Sequence, residues 1–214
     1  MGKSVAILGM GRFGQFLTAE LCASGADVLI ADNDERIINQ FAGQVSDAVI
    51  VDLLDPEAIK TIGLNEMDLV VVSMGSSLEA SIMCISVAKE LGVPRIIAKA
   101  ASDRMGKILK LVGADEIIYS EKESARQTAR RILSPNILDY FILDDTLSVI
   151  SMRPEAEWIG KSLNELRLRA RYHMNVAAIR DKNGKTHANI DPTAPLTEDM
   201  ELIVIAESSP VKKP

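Results

Sequence analysis

The chain has 214 residues, 47% hydrophobic and 25% charged, with a net charge of −6. That is globular composition and excludes a disordered or fibrous chain. The acidic balance argues against nucleic acid or an anionic membrane as the main partner, since both reward clustered lysine and arginine.

Apolar runs and helix-spaced segments alternate through the first two thirds. Strands are predicted at 4–8, 27–31, 47–51, 68–73, 95–99 and 116–120, with near-continuous Val/Ile/Leu character that suits strands covered on both faces. Helices are predicted at 12–24, 34–43, 56–62, 77–91, 102–112 and 121–133. Asp55-Pro56 supplies an N-cap followed by a first-turn proline. Six β–α repeats predict an α/β, Rossmann-like, doubly wound parallel sheet. The pattern changes near Ser134-Pro135-Asn136. Extended runs follow at 139–143, 147–152, 175–181 and 200–206, with one helix near 162–168 and a hairpin signal at Asn183-Gly184. The expected domains are 1–134, including a crossover helix at 121–133, and a small α+β domain at 135–214.

Gly9, Gly11 and Gly14 form G-x-G-x-x-G after the first strand and at the head of a helix. Gly9 permits the tight turn, Gly11 the close approach of a diphosphate, and Gly14 close helix–strand packing. The second strand runs into Asp32, the spacing at which a carboxylate meets ribose hydroxyls and repels a 2′-phosphate. Asp52 and Leu53 follow the third strand, on the adenine side of such folds, though Asp52 reads equally as a helix-start residue. Ser73, Met74 and Gly75 follow the fourth strand, facing the phosphates or the second ribose. Arg12 in the loop invites a further phosphate with its fork geometry, and Lys99 either adds a cation on the same rim or is a solvated lysine. These cations tilt the expected ligand from NAD towards ATP or ADP.

No acid/base group for hydride chemistry stands out. His173 and His187 both lie in the C-terminal module, with no carboxylate partner evident in sequence. No apolar run approaches the ~18 residues of a membrane span, and no secretory leader precedes the first strand. Cys22 and Cys84 lie in apolar helix-like stretches without metal-ligand spacing. A soluble, cytoplasmic, non-catalytic nucleotide-binding protein is expected.

The segments "GMGRFG", "ADNDE", "VSMGSS", "GADEIIYSEKESA" and "LRARY" together resemble the RCK (regulator of K⁺ conductance) family, the cytosolic regulatory subunits of bacterial Ktr/Trk-type potassium uptake systems. The arginine in the glycine loop is similar to the KtrA type. The resemblance implies that Gly9, Gly11, Arg12, Phe13 and Gly14 line the phosphates, with Arg12 reaching a γ-phosphate. It puts Asp32 at the ribose with Asn33 beside it, Asp52 and Leu53 at adenine, and Lys99 at the phosphates. It implies that Glu121 binds Mg²⁺ or Ca²⁺ near the nucleotide at a dimer interface; by the residue alone, Glu121 is an ordinary acid at a helix start. It further implies dimers assembling into an octameric ring docked on a membrane K⁺ transporter subunit. Arg169 matches an arginine that contacts cyclic di-AMP in some relatives, but Asn164 stands where those relatives carry an apolar residue. The expected function is an ATP/ADP-sensing regulatory subunit that gates the transporter. An NAD(H)-responsive Trk-type regulator, a small NAD-dependent oxidoreductase and a bare scaffold are the alternatives.

Overall fold

The computed structural model describes residues 2–144 and 146–207. The first compact unit is Met1–Glu123. It contains β1 (Ser4–Leu8), α1 (Arg12–Ala23), β2 (Asp27–Asp32), α2 (Glu35–Phe41), β3 (Asp47–Ile50), α3 (Pro56–Lys60), a 3₁₀ turn (Leu64–Glu66), β4 (Leu69–Val72), α4 (Leu78–Glu90), β5 (Ile96–Lys99), α5 (Asp103–Val112) and β6 (Glu116–Ile118). All six strands are parallel, in the order β3-β2-β1-β4-β5-β6. The order reverses between β1 and β4, the switch point where open α/β sheets bind ligands beyond their carboxyl ends. Two apolar layers cover the sheet. One joins Leu8, Leu29, Val72 and Ile96 to Ile59 and Ile85, and the other joins Ile7, Ile30 and Val71 to Ile38 and Phe41. Burial on both faces is the physical reason these strands read as continuous hydrophobic runs.

The helices of this unit start on side-chain caps, with one exception. Asp34, Asp55, Ser77 and Ser102 each accept a backbone N–H at the head of α2, α3, α4 and α5, whereas α1 starts at Gly11 with no side-chain cap.

The helix α6 (Ser120–Leu133) crosses the division between the units, which falls at Glu123/Ser124. The sequence boundary at 134/135 lies after that helix instead. No residue of α6 is buried, and Ile132 and Leu133 are more than 70% exposed. The second unit, Ser124–Pro214, contains β7 (Ile137–Ile142), β8 (Leu147–Met152), a 3₁₀ turn (Ala156–Trp158), α7 (Leu163–Leu166), α8 (Leu168–Tyr172), β9 (Met174–Arg180), β10 (Thr186–His187) and β11 (Glu201–Glu207). Its antiparallel sheet has the order β10-β9-β11-β8-β7, with Ile150, Leu202, Val204, Trp158, Leu166 and Leu168 in one core. The hairpin at Asn183-Gly184 forms, with Gly184 at φ +79° and the Asp181 side chain accepting the N–H groups of Asn183 and Lys185. The single helix expected near 162–168 is two short ones. A Ser162–Glu165 capping box starts α7, and left-handed Arg167 (φ +49°) breaks the chain before α8.

Asp115 ties two strands of the parallel sheet together. Its carboxylate accepts the Ile96 N–H at 2.7 Å and pairs with Lys89 at 3.2 Å. The Ile96 N–H, helped by Lys89, holds the Asp115 carboxyl below its ordinary value. A carboxylate with a lowered folded pKa stabilises the fold above its unfolded pKa, and that contribution is lost as pH falls through the folded pKa. Asp115→Asn should therefore cost about 1 kcal/mol near neutral pH, discounted for its exposure. Chemical denaturation across pH should show the difference fading below about pH 4.

Candidate functional site

The glycine loop leaves β1 at the switch point and is held from three sides. Gly9, at φ +94°, donates its N–H to the Ala31 carbonyl at 2.8 Å, and the Ser73 hydroxyl donates to the Gly9 carbonyl. Ser73 sits there because β4 pairs with β1 and its own N–H continues that pairing to Leu8 at 2.8 Å. The Met10 N–H donates to the Asp32 carboxylate at 2.6 Å, and the Met10 carbonyl accepts from the Gln15 amide at 2.8 Å. Buried Thr18 donates to the Met10 sulfur at 3.6 Å. A Cβ on Gly14 would collide with the Gly9 carbonyl and lie 2.9 Å from the Ser73 oxygen, so helix and loop touch backbone to backbone.

Gly11 is different. Nothing lies within 4 Å of where its Cβ would be, and its N–H has no partner among the described residues. The first N–H groups of α1 lack a side-chain cap, leaving unpaired donors and the positive end of the helix dipole at one spot. Arg12 is exposed and has no hydrogen bond or ion pair among the described residues. Open space, unpaired donors and a free guanidinium fit a phosphate chain.

The other residues read from the sequence divide into several groups. Asp32 also accepts the Asp34 N–H at 2.9 Å, beside exposed Asn33. Asp52 is exposed and accepts the Leu54 N–H at 2.9 Å, which makes it a turn-former at the end of β3. Leu53 points into the core, and its carbonyl faces the Cys84 thiol at 3.7 Å. Burial pushes that thiol up to about 12, so it stays protonated.

Lys99, Phe13, Gly75 and Glu121 come together at one end of the sheet. The Lys99 ammonium lies 2.7 Å from Glu121 and 5.6 Å from the centre of the Phe13 ring. Its stem passes 3.3 Å from where a Gly75 Cβ would be, and the side chain is 14% exposed. The Lys99 hydrogen bond is the leading cause of a lowered Glu121 pKa, with Ser120 adding to it. Glu121 belongs to no group of three or more potential metal ligands among the described residues. Arg169 is exposed on α8, in the second unit. His187, for which the sequence offered no partner, lies 3.0 Å from the Asp181 carboxylate across the hairpin.

Sequence reasoning missed Gln15 and Thr18. Both lie one or two turns into α1, facing the loop that the same helix follows, and a period-3.6 reading of that helix is the signal that would have found them.

Comparison with known proteins places this geometry. Residues 5–120 match the TrkA-N domain family, and residues 147–213 match the TrkA-C domain family. The chain belongs to the TrkA-type RCK family. Its RCK sequence is 38% identical to the Ktr system potassium uptake protein C of Bacillus subtilis (strain 168), covering 86% of this chain and 83% of that one. It is 29% identical to Ktr system potassium uptake protein A of the same organism, over 99% and 95% of the two chains. The Vibrio alginolyticus protein of that name is 32% identical, over 78% and 76%. The RCK fold recurs in the solved GsuK channel bound to NAD, with a TM-score of 0.64 at 15% identity, where the match covers 99% of this chain and 38% of that one. The Shewanella denitrificans Kef CTD in its AMP-bound form matches 61% of this chain and 79% of that one, at 22% identity and a TM-score of 0.51. No described helix is long and apolar enough to cross a membrane.

The backbone contact at Gly14 yields a direct test of how the loop is held. Gly14→Ala should lower stability by about 1–3 kcal/mol, the usual range for overpacking. The loss should appear in thermal unfolding, with chemical-shift changes centred on residues 9–14 and Ser73.

Proposed function

We propose that this chain is a nucleotide-sensing cytosolic regulatory subunit that gates a membrane K⁺ transporter, with ATP and ADP as its signals. One observation carries the nucleotide reading: α1 alone among the helices of the first unit, α1 to α5, starts without a side-chain cap, and there Gly11 leaves open space and the Arg12 side chain has no partner among the described residues. The relatives named as Ktr potassium uptake proteins, matched over most of their length, support the transport role.

In this reading Gly11 and the head of α1 hold the phosphates while Phe13 and Gly14 shape the loop. Asp32 holds the ribose beside Asn33, and Asp52, Leu53, Ser73, Met74 and Gly75 border the rest of the nucleotide. Arg12 meets the γ-phosphate, which only ATP carries, possessed by a neighbouring subunit in the assembled ring. Lys99 exchanges its contact with Glu121 for the nucleotide's phosphates. Glu121 then supplies one carboxylate to Mg²⁺ or Ca²⁺, and a second copy of the chain supplies the rest of the site, since one carboxylate does not satisfy a hard cation's need for six or more oxygens. The chain assembles as dimers and then as an octameric ring on the cytoplasmic side of the transporter subunit. The protein performs no chemistry on the nucleotide; ATP and ADP shift a conformational equilibrium to the extent that they bind its two states unequally. Arg169 on α8 offers a guanidinium to a phosphodiester such as cyclic di-AMP.

NAD is the second reading. It is the ligand named with the GsuK channel, and a carboxylate at Asp32 suits its ribose equally well. Arg12 separates the two. Arg12→Ala should weaken ATP by about tenfold or more, as expected for loss of one charge-assisted contact, and ADP by much less. Equal losses for ATP and ADP would remove the γ-phosphate role, and unchanged ATP with weakened NADH would make the protein an NAD-responsive regulator.

A further inference from the structure

The geometry assigns Asp32 a second task, resting on the nucleotide reading above: it is a positioning residue that sets the phosphate loop before any ligand arrives. A carboxylate kept only for ribose hydroxyls needs no backbone partner at the loop. Asp32 instead spans two segments, taking the Met10 N–H at 2.6 Å on one oxygen and the Asp34 N–H at 2.9 Å on the other.

The four backbone polar groups of Gly9 and Met10 are all satisfied. Gly9 N–H goes to the Ala31 carbonyl, Gly9 carbonyl to Ser73, Met10 carbonyl to Gln15, and Met10 N–H to Asp32. Asp32 is the only charged member of that set, and a hydrogen bond to a charged group is about twice as strong as a neutral one. The next N–H along, that of Gly11, is the first without a partner among the described residues. By fixing the Met10 peptide, Asp32 fixes where the donors of Gly11 and the head of α1 present themselves to a phosphate. Two bonds of the set reach β2, Gly9 to Ala31 and Met10 to Asp32, so losing the second would leave the loop tied to that strand through Gly9 alone.

A ribose-only role and a loop-setting role diverge for a nucleotide that lacks ribose hydroxyls. The full chain and its Asp32→Ala and Asp32→Asn variants would be titrated with ATP and with 2′,3′-dideoxyadenosine 5′-triphosphate, with circular dichroism confirming the fold. Asparagine keeps the volume and one acceptor oxygen, so it serves if alanine does not fold. Loop setting predicts that the dideoxy nucleotide is weakened about tenfold in Asp32→Ala, the scale of one charge-assisted hydrogen bond, and by a smaller measurable factor in Asp32→Asn, whose remaining oxygen accepts without charge. Full retention of dideoxy affinity, with ATP weakened, would reduce Asp32 to a ribose ligand and overturn the inference.

Amide hydrogen exchange without nucleotide decides the matter independently. The Met10 N–H should be protected in the parent chain and should exchange at least tenfold faster in Asp32→Ala, the population shift expected when one hydrogen bond to a charged group is removed. An unprotected Met10, or protection unchanged by the substitution, would overturn the inference. If the parent chain binds neither nucleotide, the nucleotide reading fails while the exchange result still judges the loop.

Discussion

Every α-helix opens with N–H groups that have no partner inside the helix, and the first unit of this protein depends on how it treats them. Side chains close the head of each helix from α2 to α5, and nothing closes α1. That asymmetry is affordable in water only because Gly11 keeps the site open to solvent. In the proposed function the donors left open there are the ones that a phosphate satisfies. Around them the structure spends its rigid contacts elsewhere: Ser73, Gln15 and Asp32 immobilise Gly9 and Met10, so the loop's freedom ends one residue before the site begins.

The parallel topology explains why residues far apart in sequence share that rim. β1 lies between β2 and β4, so Asp32 and Ser73 reach the loop from its two sides. β5 and β6 are neighbours, so Lys99 at the end of one meets Glu121 just beyond the other. In the proposed function this pair couples two kinds of ligand: an anion that draws Lys99 away would leave Glu121 without its cation, and a cation that takes Glu121 would release Lys99. The pair is exposed on the glutamate side, so its own contribution to stability is small. Its consequence lies in the exchange of partners.

Much of this was legible in the residues. The six strands and their helices follow from apolar periodicity, and the glycine spacing with Asp32 located the loop. Local rules also located the hairpin at Asn183-Gly184, where Gly184 alone takes a positive φ and closes a loop longer than two residues. What escaped the sequence was set by contacts between distant segments or by unfavourable local geometry. The clamp of Asp32 on Met10 spans 22 residues and exists only once β1 and β2 pair. The His187–Asp181 contact depends on how the hairpin folds back. The break between α7 and α8 falls at Arg167, a residue whose type gives no warning of a positive φ. Leu53 reads by position as a neighbour of a ligand, and its place after β3 does not reveal that its side chain also packs into the core.

Calorimetric titration of the full-length chain with ATP, ADP and NADH, each with and without Mg²⁺, tests the central claim most directly. If the uncapped head of α1 and Arg12 form a sensor of adenine nucleotide phosphates, ATP and ADP bind tightly and NADH weakly, and Mg²⁺ strengthens ATP. Preferential binding of NADH, or no binding of any of the three, would contradict it.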